Sequence, residues 1–225
     1  MKSLCSTLAA AVLFGSSTAS QLRNRLTNTT PVLDFAEAES GSGVAHTCQF
    51  AINRINNEKN TDYKKIIDVG NAFTDVDFPA NSEMIRWSDY PGRTSMSSYA
   101  TASKYLRIPT KVNQPALFTS KVDSFDIVQG QDADCYWITA TSDVAHTNRM
   151  RDVFLTQNFN KAGIQAVKLY VRGLPTIVVV DDYVPYYNGN LIMNRQPPDG
   201  DYWAIVLEKA WAKVNGNYEN INYGW

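Results

Sequence analysis

A polar, glycine-containing stretch, Gln129-Gly130-Gln131-Asp132-Ala133-Asp134, runs directly into Cys135-Tyr136-Trp137 and then Ile138-Thr139-Ala140. The first part reads as irregular chain and the second as the start of a buried helix, with Cys135 at the boundary. A thiol on the first turn of a helix meets the positive end of the backbone dipole and unpaired amide donors, both of which favour negative charge on sulfur. Gln129, six residues upstream, can aim a side-chain amide at an oxyanion forming on a carbonyl that the sulfur attacks. The same pattern also suits a buried core thiol, and the segment by itself does not choose between them.

Four blocks of sequence, in order, add to this segment. Phe73-Thr74-Asp75-Val76-Asp77-Phe78-Pro79 is similar to F-x-D-x-x-F-P, and Asp126-Ile127-Val128-Gln129-Gly130 with Asp134-Cys135 to D-I-x-Q-G-x-x-x-D-C. Val178-Val179-Val180-Asp181-Asp182-Tyr183-Val184-Pro185 is similar to V-V-V-D-D-x-L-P. Leu207-Glu208-Lys209-Ala210-Trp211-Ala212-Lys213-Val214-Asn215-Gly216-Asn217-Tyr218-Glu219 is similar to L-E-K-A-Y-A-K-x-N-G-x-Y-E. These blocks resemble the protease core of the calpains, papain-like cysteine endopeptidases, from about residue 73 to the C-terminus. Two positions depart from the pattern. Ala133 stands where the family usually has Gly, which matters if that position needs a positive φ, and Tyr136 separates Cys135 from Trp137.

The resemblance implies an α+β fold like the first lobe of a papain-like protease: a central helix bearing the cysteine, several helices and a small antiparallel sheet. It implies a calpain-type cysteine endopeptidase acting on polypeptide substrates, with Cys135 as nucleophile and Gln129 and the Cys135 backbone amide as oxyanion donors. The alternative is a catalytically inactive calpain-like binding or regulatory module. Members of the family draw their histidine base and its orienting asparagine from a second lobe, which would lie beyond Trp225. The expectation is therefore a truncated first lobe that is weak or inactive alone, with a second lobe or chain supplying both residues. A local substitute is not expected. His146 falls at i+11 on a helix begun by Cys135, about 16 Å along the axis, and His46 has no recognisable link to the site. The family's calcium site, held by two carboxylates and backbone carbonyls, maps onto Asp126 and Asp201; the alternative is that the first caps a turn and the second a helix.

Residues 1–20 combine Lys2, an apolar run from Leu4 to Phe14 and small residues from Gly15 to Ser20, the pattern of a cleaved signal peptide rather than of a membrane span. The expected location is secreted or a lysosome-like compartment, with no membrane association after cleavage, and Cys48 with Cys135 as an alternative disulfide pair. Residues 21–72 read as a polar leader with a linker and an amphipathic helix from Val44 to Ile67, and 73–225 as the catalytic domain. With 21 basic and 22 acidic residues the chain offers no basic block for nucleic acid. Further on, Ile164 to Val171, Arg172-Gly173 and Leu174 to Val180 read as a hairpin, Asn188-Gly189 as a second tight turn. Asp181 and Asp182 suit a turn or ion pairs. Asp201 is expected to open a last helix whose stripe of Trp203, Val206, Leu207, Ala210, Trp211 and Val214 is core, with Asp199 and Asp201 as caps.

Overall fold

The computed structural model describes residues 61–87, 96–119, 122–147, 149–171, 173–195 and 200–223, and within them the architecture is α+β. The β-branched runs form the expected hairpin: β2 (Ile164–Val171) and β3 (Leu174–Asp181) are antiparallel from Ile164 opposite Asp181 to Val171 opposite Leu174. Alternation gives the ribbon two different faces. Val167, Val171, Val178 and Val180 enter the main core, whereas Ile164, Ala166 and Val179 pack beneath α1 (Tyr63–Val69).

The antiparallel pairing is divided between two sheets rather than gathered in one. The second sheet has the order β1-β4-β5, built from β1 (Lys104–Arg107), β4 (Tyr183–Tyr187) and β5 (Asn190–Leu191). Asn188 and Gly189 both have positive φ, 50° and 83°, as the two-residue turn between β4 and β5 requires. Strand β1 was not legible as a strand, because only its partner β4, some eighty residues later, supplies its hydrogen bonds.

Short helices fill the long connections: α2 (Ser82–Ile85), α3 (Ser97–Ala102), α4 (Ile108–Lys111), α6 (Met150–Val153) and α8 (Tyr218–Ile221). Two longer ones organise the rest, α5 (Cys135–His146) and α7 (Trp203–Asn215). Trp137 of α5 stacks on Trp211 of α7 with ring centroids 4.5 Å apart and planes 3° from parallel, and Trp211 Nε1 donates to the Tyr136 hydroxyl at 3.1 Å. The Tyr136-Trp137 order thus gives α5 two contacts with α7.

Helix α7 is buried almost all round, including Glu208, Lys209 and Lys213. Such charges are tolerated inside only when paired and hydrogen-bonded. Lys209 Nζ meets the Asp181 carboxylate and the carbonyls of Asp181 and Tyr183, and Lys213 Nζ lies 2.8 Å from Asp75 and 2.6 Å from the Val179 carbonyl. Arg107 pairs with Asp182. Asp181 and Asp182 therefore serve ion pairs, as expected of them.

Two expectations are corrected. The expected continuous helix from Val44 to Ile67 does not hold, because Thr61 and Asp62 are not helical and the Asp62 carboxylate accepts the Lys65 amide at the start of α1; residues 44–60 lie outside the described residues. Asp201 neither opens nor caps the last helix. Tyr202 is the N-cap of α7, and the Asp201 carboxylate turns instead to the Thr119 amide. Asp199, His46, Cys5, Cys48 and all of residues 1–60 lie outside the described residues.

Candidate active site

The loop ahead of α5 owes its path to one close approach. A Cβ on Gly130 would fall 1.4 Å from the Met193 carbonyl oxygen and 2.3 Å from that of Ile192, so only glycine fits. Held there, Gln131 N donates to the Ile192 carbonyl at 2.6 Å, and Val128 exchanges bonds with Arg195 N and the Asn194 amide oxygen. Downstream, Ala133 N donates to Asn222 Oδ1 and its carbonyl accepts from Tyr223 N, each at 2.9 Å. Ala133 is not among the residues with positive φ, so its methyl introduces no backbone strain.

This loop delivers Cys135 to the first position of α5 as an exposed, free thiol. The Asp134 carbonyl accepts from Trp137 N and Ile138 N, which begins the helix, while the Asp134 side chain makes no cap bond. The amides of the first turn, Cys135 N–H among them, are thus not consumed by the preceding carboxylate. His146 closes the same twelve-residue helix at its far end and is exposed. It cannot reach the sulfur.

Gln129 is near the cysteine in sequence but committed elsewhere. Its side-chain amide donates to the Asp132 carbonyl at 3.0 Å and to Asp134 Oδ1 at 3.2 Å. Beneath it lies a buried acidic group that sequence reasoning did not single out: Asp132, Asp134 and Glu208, exposed by 2%, 0% and 0%. Glu208 Oε2 accepts from Asn194 N at 2.7 Å. Burial, and next the neighbouring Asp134, hold the Glu208 carboxyl well above the usual carboxylate range. Burial raises Asp134 too, opposed by its hydrogen bonds to Glu208 and Gln129. The signal available in the sequence was Glu208 itself, an acid within the otherwise apolar first half of α7.

Asp126 and Asp201 come to adjoining loops. Asp126 ends the short 3-10 turn Ser124–Asp126, where its Oδ2 accepts from Asp123 N at 2.9 Å and from Trp203 Nε1 at 3.0 Å. Asp201 forms a parallel bridge with Ala116, two residues ahead of that same Trp203. Both acids are buried, and each accepts from protein donors. Asp126 does cap a turn. Among the described residues, no group of three or more His, Cys, Asp or Glu could hold a metal ion, so a cation here would rest on two carboxylates and carbonyl oxygens.

A family model described as calpain family cysteine protease matches residues 73–225. Calpain-A of Drosophila melanogaster is 30% identical over 171 residues, 72% of this chain and 20% of that protein. Calpain-B of the same fly is 32% identical over 159 residues, 69% of this chain and 16% of that protein. A calpain-type cysteine protease of Oryza sativa subsp. japonica, ADL1, is 32% identical over 144 residues, 64% of this chain and 6% of that protein. The chain thus spans a fifth or less of these relatives' length. With its cysteine at the head of a helix, the glycine-gated loop before it and a family match over two-thirds of its residues, the chain belongs to the calpain family of cysteine proteases.

Proposed function

We propose that this chain carries the nucleophile-bearing lobe of a calpain-type cysteine endopeptidase. The observation that supports this most is the exposed free thiol of Cys135 at the first position of α5. In this reading the sulfur attacks the carbonyl carbon of a peptide bond, a C–S bond forms, and the carbonyl π pair moves onto oxygen. The Cys135 backbone N–H and the Gln129 amide donate to that oxygen. The leaving amine needs a proton, which a histidine held by an asparagine supplies in the family; His146 is too far away to do so, and the donor comes from another lobe or chain.

Asp126 and Asp201, with backbone carbonyls, would hold a calcium ion, whose positive charge would offset two buried acids and tie the loop before Cys135 to the start of α7. Hard carboxylate oxygens on abutting loops suit that ion. The leader, residues 1–20, supports a secretory route, tested by whether the expressed chain is exported with those residues removed.

A second reading, a silent peptide-binding module, is favoured by one observation: both amide hydrogens of Gln129 are already engaged. A peptidyl acrylamide separates the two. The endopeptidase reading expects modification of Cys135, located by mass spectrometry, much faster than that of an ordinary exposed thiol. Modification at the ordinary rate selects the silent module.

A further inference from the structure

An amide NH2 has two hydrogens, and in Gln129 both are spent on the loop, one on the Asp132 carbonyl and one on Asp134 Oδ1. The bond to Asp134 is charge-assisted while that side chain is a carboxylate, and so is the stronger of the two in kind. Burial raises the Asp134 carboxyl, and its hydrogen bonds to Glu208 and Gln129 oppose that rise. Its other oxygen, Oδ2, and Glu208 Oε1 are buried and receive no N–H or hydroxyl donor from the other described residues. They are the oxygens left for a hydrogen bond between the two carboxyls, which requires one proton held by the pair, and burial raises both groups, Glu208 well above the usual carboxylate range. Glu208 is in turn fixed by Asn194 N, on the same segment whose Ile192 carbonyl holds Gln131.

We propose that Asp134 and Glu208 are positioning residues that set where the Gln129 amide points: an ionised Asp134, supported by the Glu208 hydroxyl, keeps the amide on the loop, and neutralising Asp134 releases it to serve the oxygen at Cys135. The inference rests on the endopeptidase reading and adds to it an acid-released latch. The titratable groups around the pair are Asp132 and Tyr136 on the stretch of chain that carries Asp134, and Tyr218 on α8. All of these groups are acidic. Lowering the pH therefore acts first by placing a proton on an acid of this set, and Asp134 is the member that holds Gln129.

A peptidyl aldehyde reads the latch, because the sulfur adds to its carbonyl carbon, the thiol proton passes to its oxygen, and that oxygen needs the Gln129 amide. Iodoacetamide reads the sulfur alone, since its displacement of iodide develops no oxyanion. On the full chain, aldehyde affinity, compared among variants whose iodoacetamide rates match at one fixed pH, should rise about tenfold from neutral to mildly acidic pH, the difference between a charge-assisted and a neutral hydrogen bond. Gln129→Ala should abolish the rise, and Asp134→Asn should be tight and flat throughout. Glu208→Leu removes a bond that lowers Asp134, so its midpoint should move to higher pH, whereas Glu208→Gln, still a donor, should keep the wild-type midpoint. A simple packing role would change affinity without moving the midpoint. A flat wild-type profile, or an Asp134→Asn profile that coincides with it, overturns the latch while leaving the nucleophile reading standing if iodoacetamide still modifies Cys135 rapidly. Slow modification of Cys135 overturns both.

Discussion

Replacing Lys209 with methionine isolates the contact that joins β3 to the centre of α7. The ammonium is 1% exposed and its partner Asp181 is fully buried. It gives three hydrogen bonds, to the Asp181 carboxylate, to the Asp181 carbonyl at 2.8 Å and to the Tyr183 carbonyl at 2.6 Å. In Lys209→Met, Asp181 keeps backbone donors from Asp75 at 2.8 Å and Tyr183 at 3.1 Å but loses its countercharge. Removing one member of a buried pair costs about 3–5 kcal/mol. With a urea slope near 2 kcal/mol per molar, the unfolding midpoint should fall by roughly 1.5–2.5 M, followed by tryptophan fluorescence. Adding Asp181→Asn, which deletes the stranded charge while keeping an acceptor, should recover at least about 1 kcal/mol of the loss. A single variant within about 1 kcal/mol of wild type, or a double variant whose cost is the sum of the two singles, would refute the reasoning that this pair is dry and coupled.

Gly130→Ala should abolish rapid modification of Cys135 and lower the unfolding midpoint, because its methyl would collide with the Met193 carbonyl and push the loop off its support; an unchanged modification rate contradicts this. Trp211→Ala removes the ring stacked on Trp137 and the donor to Tyr136, and large-to-small losses of this kind cost about 3–5 kcal/mol, measurable by urea unfolding. The raised Glu208 carboxyl gives stability that is fully present below the ordinary carboxylate value and is lost as pH rises through the folded-state value, at up to about 1.4 kcal/mol per pH unit. Glu208→Gln should flatten that decline, and an unchanged slope would count against a raised Glu208 carboxyl. Calcium titrated into the chain should raise its unfolding temperature, and Asp126→Asn with Asp201→Asn should remove the effect; a rise that survives both substitutions places the ion elsewhere.

The parts legible in the sequence are those whose cause is local. The β-branched run Leu174–Val180 and its glycine turn announced the hairpin, the spaced tryptophans and valines announced α7, and the switch from polar to apolar at Cys135 announced α5. What escaped depends on long-range partners. Strand β1 exists because β4 pairs with it, Asp201 leaves the helix terminus because Thr119 offers an amide, and the Glu208 carboxyl is raised only because α7 is surrounded. Gln129 was rightly placed in the loop ahead of the cysteine, but its hydrogen-bond partners belong to the folded loop and have no signature in spacing.

The central claim is that the fold primes one sulfur, and the alkylation rate of Cys135 tests it most directly. In a chain carrying Cys5→Ser and Cys48→Ser, so that a single thiol remains, iodoacetamide should modify the folded protein at neutral pH about tenfold faster than the urea-unfolded protein, the scale expected from a helix terminus. Equal rates, or a folded rate slower than the unfolded one, would contradict the account.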